Sequence, residues 1–388
     1  MKKYMILAAA AALALASCAK FETSTVSEND GNMPIGFTNY APTSLVKAGD
    51  TYVSGTTLVE NKQFAVYAWN TTYGNFLTAN PGAPAFMNPA VVTWKGDTTD
   101  GDGNTYTPLR YWPSGDTPDN LSFTAYYPYG GAGITAPTFS NNTVGVYAFE
   151  AQSTPAAMVD FCVADVVNDQ VYGSTNTAHD GTVNLPFKHQ LAKIQFKFKT
   201  TTLESGTTIK LTDAKLQNIK TKGTLTATFT QAGTPAVNTL GSTNTTWSAQ
   251  AKADTPVVYD ITIGGNDVSG SNKVALSTEE TTPTTADIFL MVPQDMVNSP
   301  AADEQKLVVT WEVITDGGAT VTNTKTLSFK TDLKNGDDPN AAGYGAANIN
   351  WAKNSFVTYT ITIGPKPIYF TATVDEWATE QNGYFNVQ

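Results

Sequence analysis

Cysteine and histidine, which carry much of the nucleophilic and metal chemistry of proteins, are nearly absent from this chain. The 388 residues contain two of each. Apart from Cys18, Cys162 is the one cysteine, so no internal disulfide can form, and its apolar neighbours favour a buried apolar role. His179 lies in a polar stretch and His189 directly precedes an apolar alternation. We expect structural roles for both histidines.

The common catalytic motifs are also missing. The sequence has no Gly-x-Ser-x-Gly elbow, no phosphate-binding glycine loop and no His-Glu-x-x-His pair. Adjacent carboxylates such as Asp375 and Glu376 would point to opposite faces of a strand, so they cannot flank one scissile bond. We therefore predict no catalytic residues, no metal, no cofactor and no enzymatic activity.

Charge is scarce and of one dominant sign. Charged residues make up 15% of the chain, against about 25% in a typical soluble protein. The net charge is −11, which makes a phosphate backbone an unfavourable partner and argues against nucleic-acid binding.

The length of the chain exceeds one ordinary domain and fits two domains of roughly 150–200 residues each.

No apolar run reaches the roughly 20 residues that a membrane-spanning helix needs. The longest, Met5–Ala16, follows Lys2 and Lys3. This order of a positive segment and a short apolar segment is typical of a signal peptide, here residues 1–17.

The apolar segment ends in Leu-Ala-Ser-Cys, which resembles the bacterial lipobox. We expect Cys18 to be acylated and to become the first residue of an outer-membrane lipoprotein. An ordinary cleavage site that happens to contain a cysteine is the alternative. The polar residues 18–32 then form a lipidated tether.

What the chain does contain is period-two alternation of apolar and polar residues. In Ile194–Lys199 every second residue is apolar, which is typical of a strand with one face in a core. The further strand candidates are 35–37, 64–69, 91–94, 121–127, 161–164, 225–229, 307–313, 359–363 and 368–374. Gly, Pro, Asn and Asp separate them, which predicts an all-β protein with two β-sandwich domains, 33–182 and 183–388.

Two local features could bind a ligand. The run Asp100-x-Asp102-x-Asn104 matches the start of a calcium loop, but Thr105 and Tyr111 stand where that loop needs glycine and glutamate. An acidic hairpin tip is favoured, and a weak calcium site stays open.

The second feature is an aromatic cluster. Its members are Tyr111, Trp112, Tyr126, Tyr127 and Tyr129. Such rings fill sandwich cores and domain interfaces, but when exposed they also contact proteins or stack on sugars.

Several segments in a fixed order resemble the fimbrillin family, the type V pilins of Bacteroidales. They are the lipobox at Cys18, Pro34–Phe37 with Lys47 downstream, Leu109–Pro113, Leu121–Pro128, Leu185–Ile194 and Val374–Trp377. The resemblance covers essentially the whole chain. It implies two transthyretin-like β-sandwich domains in tandem and export to the cell surface.

The resemblance also implies processing. A trypsin-like protease would cut after Lys47, where the family often has arginine, so that Ala48 becomes the new N-terminus. The cut would release the lipid and the strand that contains Ile35 and Phe37. An open groove with unpaired backbone groups would remain, and a strand from another pilin subunit could fill it.

The C-terminal region is the expected donor of that strand. Its candidate groove-filling residues are Ile368, Tyr369, Phe370, Ala372, Val374 and Trp377. The chain is then a structural subunit of an extracellular fimbrium, with other pilin subunits, the processing protease and the outer-membrane lipid as partners. A pilus-tip adhesin with a host or bacterial receptor, and a surface glycan-binding lipoprotein, are the alternative hypotheses.

Overall fold

The chain is almost entirely β-structure wherever it is described. A computed structural model describes residues 33–40, 62–71, 82–95, 104–114, 120–140, 143–172, 181–230, 242–252, 258–334, 349–365 and 368–376. Across these ranges helical structure is limited to short 3-10 turns, and no helix there is long and apolar enough to cross a membrane.

The strands of the N-terminal half end at His189. They are β1 Gly36–Tyr40, β2 Gln63–Thr71, β3 Met87–Trp94, β4 Asn104–Thr105, β5 Asn120–Tyr127, β6 Gly145–Glu150, β7 Cys162–Ala164, β8 Val167–Gln170 and β9 Thr182–His189.

The strands of the C-terminal half begin at Ala192. They are β10 Ala192–Thr200, β11 Thr208–Gln217, β12 Lys222–Thr230, β13 Ser242–Ala251, β14 Tyr259–Asp260, β15 Thr262–Ile263, β16 Asn266–Asp267, β17 Val274–Ala275, β18 Phe289–Met291, β19 Lys306–Ile314, β20 Thr320–Ser328, β21 Ser355–Ile363 and β22 Ile368–Glu376.

One large sheet organises the N-terminal half. Its order is β1-β9-β7-β5-β2-β3-β4, and β8 also pairs with β5. Every residue of the central strand β5 is buried, because each face of the sheet lies against a separate apolar cluster. Phe123 and Tyr127 belong to the cluster enclosed by this sheet, whereas Tyr126 belongs to the cluster shared with the C-terminal half.

The C-terminal half contains smaller sheets around that shared cluster. A four-stranded sheet has the order β18-β10-β21-β22, and a second sheet has the order β14-β11-β19-β20 with β17 also on β11. In β10 and β19 buried and half-buried residues alternate, as their sequences predicted. The all-β sandwich prediction is confirmed, and the division into two transthyretin-like domains stays a prediction.

Strands on each side of the expected boundary at residue 182 pair with strands on the other side. Strand β9 begins there, yet it pairs with β1 and β7 of the N-terminal sheet. Strand β6 comes from the N-terminal half, yet it pairs with β12 in a three-stranded sheet with β13. The N-terminal sheet therefore extends to His189, and a strand of this half completes a sheet of the other.

A buried carboxylate fixes one loop region of the C-terminal half. Asp287 accepts hydrogen bonds from the Thr262 and Thr284 hydroxyls, at 2.6 and 2.7 Å, and from the Gly264, Gly265 and Thr284 amides at 2.7–2.9 Å. Burial alone would raise the pKa of the Asp287 carboxyl, but these hydrogen bonds outweigh it and hold the pKa below its usual value.

We expect Asp287→Asn to lower the free energy of unfolding by about 2–3 kcal/mol at pH 7, because donors aimed at a carboxylate lose their partner. The folded-state pKa is depressed, so this stabilisation is present above the unfolded pKa and is lost as pH falls through the folded value. Urea unfolding at neutral and acidic pH measures both effects. Asp267→Asn, at an exposed site in β16, is the matched control and should change little.

Candidate functional site

The segment 33–40, which comprises β1 and the three residues before it, occupies a slot with backbone partners on both sides. On one side it runs parallel to β9, with Gly36 opposite Thr182 and Phe37 opposite Val183. On the other side the Ile35 amide donates to the Arg110 carbonyl at 2.9 Å. The Trp112 amide donates to the Met33 carbonyl at 3.0 Å, and Pro34 bridges Tyr111 in antiparallel fashion. The segment 110–112 therefore forms the second wall of the slot.

Side chains of the segment 33–40 fill part of the apolar cluster that the N-terminal sheet encloses. Ile35 is 1% exposed and Phe37 is 3% exposed. The Phe37 ring centroid lies 5.6 Å from that of Tyr106 and 5.9 Å from that of Phe123. Trp112 packs edge-on against the same Phe123 ring. Alternate residues of one short strand thus complete an aromatic core.

Polar side chains from β4 and from the residue after it also bind the backbone of the segment 33–40. The Tyr106 hydroxyl donates to the Ile35 carbonyl at 2.9 Å, and the Asn104 amide donates to the Phe37 carbonyl. Burial raises the pKa of Tyr106, so its hydroxyl remains a donor across the physiological range. Gly181 has a φ of +79°, and a Cβ there would lie 2.9 Å from the Met33 Cγ. A glycine is therefore needed where the chain passes the start of β1.

Loss of the segment 33–40 would open a groove with a defined shape. Ile35 and Phe37 would each give up about 1.5–3 kcal/mol of burial, and the Phe123 and Tyr106 rings would lose their cover. The edge of β9 and the segment 110–112 would both present unpaired backbone groups. Such a groove accepts an extended segment with apolar residues at every second position.

The expected donor segment lies at the end of another sheet. Strand β22 pairs only with β21 among the described strands, and it does so along its whole length in antiparallel register. Residues 368, 370, 372 and 374 stand opposite Ile363, Ile361, Tyr359 and Val357, each of which is fully buried.

Several predicted site residues lie outside the described part of the chain. They are Cys18, Lys47, Ala48 and Trp377, together with His179 and the residues of the acidic loop before Asn104. Asn104 itself lies in β4 and hydrogen-bonds to β1. Its role in holding that strand could not be found from the calcium-loop pattern.

The fold buries three members of the aromatic cluster and leaves two exposed. Trp112, Tyr126 and Tyr127 are at most 2% exposed, whereas Tyr111 and Tyr129 are 46% and 40% exposed. The hypothesis that Trp112 or Tyr127 stacks on a glycan is therefore wrong, because both rings are enclosed by the core of the N-terminal sheet.

A buried polar cluster lies where β7 and β9 meet. Cys162 and His189 are directly opposite each other in the two strands. The His189 Nδ1 lies 2.9 Å from an Asp160 carboxylate oxygen and 3.5 Å from the Cys162 Sγ. Burial, and then the Asp160 charge, raise the pKa of Cys162 well above its usual value. The expected burial of Cys162 is confirmed, since the residue is 0% exposed.

Asp160, Cys162 and His189 are the one group of three metal-type donors within the described ranges. One oxygen, one sulfur and one nitrogen could together hold a transition-metal ion. Buried Lys193 lies nearby, and desolvation lowers its pKa to about 8. The imidazole–carboxylate contact already pairs the buried Asp160, so the geometry indicates a structural tie between β7 and β9. The sequence missed Asp160, because a single acid before an apolar strand carries no motif.

Comparison with known proteins places this sandwich among bacterial fimbrial folds. A crystal structure of a fimbrial protein from Bacteroides vulgatus is similar, with a TM-score of 0.56, 20% identity, and coverage of 89% of this chain and 100% of that one. A cell adhesion protein of Bacteroides uniformis aligns with a TM-score of 0.41, 17% identity, and coverage of 90% and 98%. The tip fimbrial protein Mfa3 of Porphyromonas gingivalis, with a C-terminal truncation, aligns with a TM-score of 0.33, 11% identity, and coverage of 82% and 95%.

The sequence itself defines the family. The profile of the fimbrillin-like family matches residues 51–377, and the chain belongs to that family. The search of curated proteins found no match. The predicted resemblance is confirmed, and membership supports a pilus-related subunit or adhesin of the cell surface.

Proposed function

We propose that this chain is a structural subunit of a cell-surface pilus, and that its subunits join by strand exchange. In this proposal the chain is exported as a lipoprotein anchored through Cys18 and is then cut after Lys47 by a trypsin-like protease. The observation that carries the proposal is the segment 33–40, which lies between β9 and the segment 110–112 and buries Ile35 and Phe37.

The position of Lys47 makes β1 releasable. Lys47 lies in the stretch 41–61, between β1 and β2. A cut there removes the covalent link that joins β1 to the rest of the sheet. Afterwards only non-covalent contacts hold the strand, so a competing segment can replace it.

The last of the described strands supplies the competitor. Detaching β22 breaks one described ladder, because the strand stands at the end of its sheet next to β21. When β22 of one subunit enters the slot of the next, it gains ladder hydrogen bonds on both walls. This contact is head-to-tail and does not close on itself, so it generates a fibre.

The test is a pair of substitutions at the cleavage position, made in cells that display the protein. Lys47→Gln removes the trypsin-like site, and we expect surface filaments seen by electron microscopy to disappear while the protein stays at the outer membrane. Lys47→Arg keeps the site and should leave filament number unchanged. Normal filaments from the Lys47→Gln chain would refute the proposal.

A further inference from the structure

The three donor residues at the junction of β7 and β9 form a compact triangle. The His189 Nδ1 lies 2.9 Å from one Asp160 carboxylate oxygen, 3.0 Å from the other and 3.5 Å from the Cys162 Sγ. The three ligand atoms all lie within 4.8 Å of one another. A tetrahedral zinc ion with bonds of about 2.0–2.3 Å holds such atoms roughly 3.3–3.6 Å apart, so small shifts convert this triangle into a metal site.

We propose that Asp160, Cys162 and His189 bind one Zn²⁺ ion, which then joins β7 to β9. In the metal-free chain the imidazole–carboxylate contact makes this connection, and the ion uses the same three atoms. The inference is independent of the proposed strand exchange, because neither β1 nor the cleavage position takes part in it.

The fold holds the three residues close together along paired backbone. Cys162 and His189 stand directly opposite each other in the antiparallel ladder of β7 and β9, and Asp160 lies two residues before β7. Between these positions the Gln190 amide donates to the Phe161 carbonyl at 2.8 Å. All three donor residues are at most 2% exposed. Ligands that are fixed in advance lose little conformational freedom when the ion binds.

The donor set suits zinc in both chemistry and charge. Zn²⁺ binds thiolate sulfur, imidazole nitrogen and carboxylate oxygen, whereas Ca²⁺ and Mg²⁺ prefer oxygen ligands. The Cys162 thiol releases its proton to solvent as the sulfur bonds to the metal. One thiolate and one carboxylate then balance the two positive charges of the ion. An occupied site without net charge does not repel the ammonium group of buried Lys193 nearby.

A cleft at the junction of the two halves reaches one of the ligands. Its volume is about 460 Å³, and its lining includes His189, Val163 and the hydroxyl side chains of Thr243 and Thr245. Because β7 is only three residues long, local opening of its ladder gives an ion access to the sulfur. Zinc sites with three protein ligands carry water in the fourth position, and the cleft supplies that water.

X-ray absorption at the zinc edge tests the ligand set on the folded mature chain. The chain carries Cys18→Ser, which leaves Cys162 as the single thiol, and it is stripped with EDTA before Zn²⁺ is added. We expect one zinc per chain, with one sulfur neighbour at about 2.3 Å and nitrogen or oxygen neighbours at about 2.0–2.2 Å. The Co²⁺ form should show a sulfur-to-cobalt charge-transfer band, and millimolar Ca²⁺ should not abolish it.

Two variants and a matched control distinguish this site from an adventitious ion only. Cys162→Ala should remove the sulfur neighbour, and Cys162→Ala and His189→Gln should each weaken Zn²⁺ binding by at least about 100-fold, since loss of an outer-shell partner alone costs about 10–100-fold. His179→Gln, at the other histidine, should leave the affinity unchanged. Circular dichroism checks that each variant is folded.

The spectrum of the chain with Cys162 and His189 intact decides the question even where a variant fails to fold. Zinc bound without a sulfur neighbour would show an adventitious ion only and would overturn the proposal. Failure to retain zinc after dialysis, or equal affinity of the Cys162→Ala chain, would also overturn it. Zinc should in addition raise the melting temperature of the His179→Gln chain but not that of the Cys162→Ala chain.

Discussion

Cleavage after Lys47 is expected to convert monomeric protein into filaments. Treatment of the purified chain with limiting trypsin should yield a product that begins at Ala48, and the released β1 should be replaced by a strand from another molecule. Light scattering and electron microscopy would follow growth, which should depend steeply on protein concentration because each contact joins two chains. We expect near-complete conversion, against no filaments in the untreated sample.

A second lysine provides the control for this experiment. Cleavage after Lys20 removes the lipidated N-terminus but leaves β1 attached to the rest of the chain. The Lys47→Gln chain should therefore lose residues 18–20 and stay monomeric, whereas the Lys20→Gln chain should still polymerise. Equal polymerisation of the two variants would show that release of β1 is not the trigger.

Truncation of the central β1 side chain should have the largest effect on stability. Phe37→Ala is expected to lower the free energy of unfolding of the uncut chain by about 3–5 kcal/mol, because the Tyr106 and Phe123 rings would face a cavity. Urea unfolding measures this change. In cleaved protein the same substitution should speed loss of the N-terminal fragment, which native mass spectrometry would detect.

Phe229→Ala is the control that distinguishes a general loss of stability from weaker binding of β1 in its slot. Phe229 lies in β12 and belongs to the apolar cluster of the other half. Its truncation should also destabilise the chain but leave the rate of fragment release unchanged. A loss below about 1 kcal/mol for Phe37→Ala would mean that β1 contributes little to the core.

The sequence predicted strands most directly where apolar residues strictly alternate. Segments 194–199 and 307–313 lie in β10 and β19, whose buried residues follow the expected period. Strand β20 could not be predicted, since Thr320–Ser328 is rich in threonine and mostly exposed. It forms because it pairs with β19 along its whole length, so its own sequence does not reveal that it is a strand.

Long-range pairings were equally inaccessible to sequence reasoning. Periodicity indicates that β1 is a strand, but it does not say that the strand runs parallel to β9 about 150 residues later. The same holds for β6, which crosses from one half to pair with β12. The wall of the slot at Arg110–Trp112 lay in a recognised segment, but its hydrogen bonds to Met33 and Ile35 appear only in the structure.

The most direct measurement of the central claim is the N-terminal sequence and mass of subunits recovered from cell-surface filaments. The account predicts subunits that start at Ala48, carry no acyl group and have lost β1. Filaments built only from intact, acylated chains that start at Cys18 would contradict it, because the slot would then still be filled by its own strand.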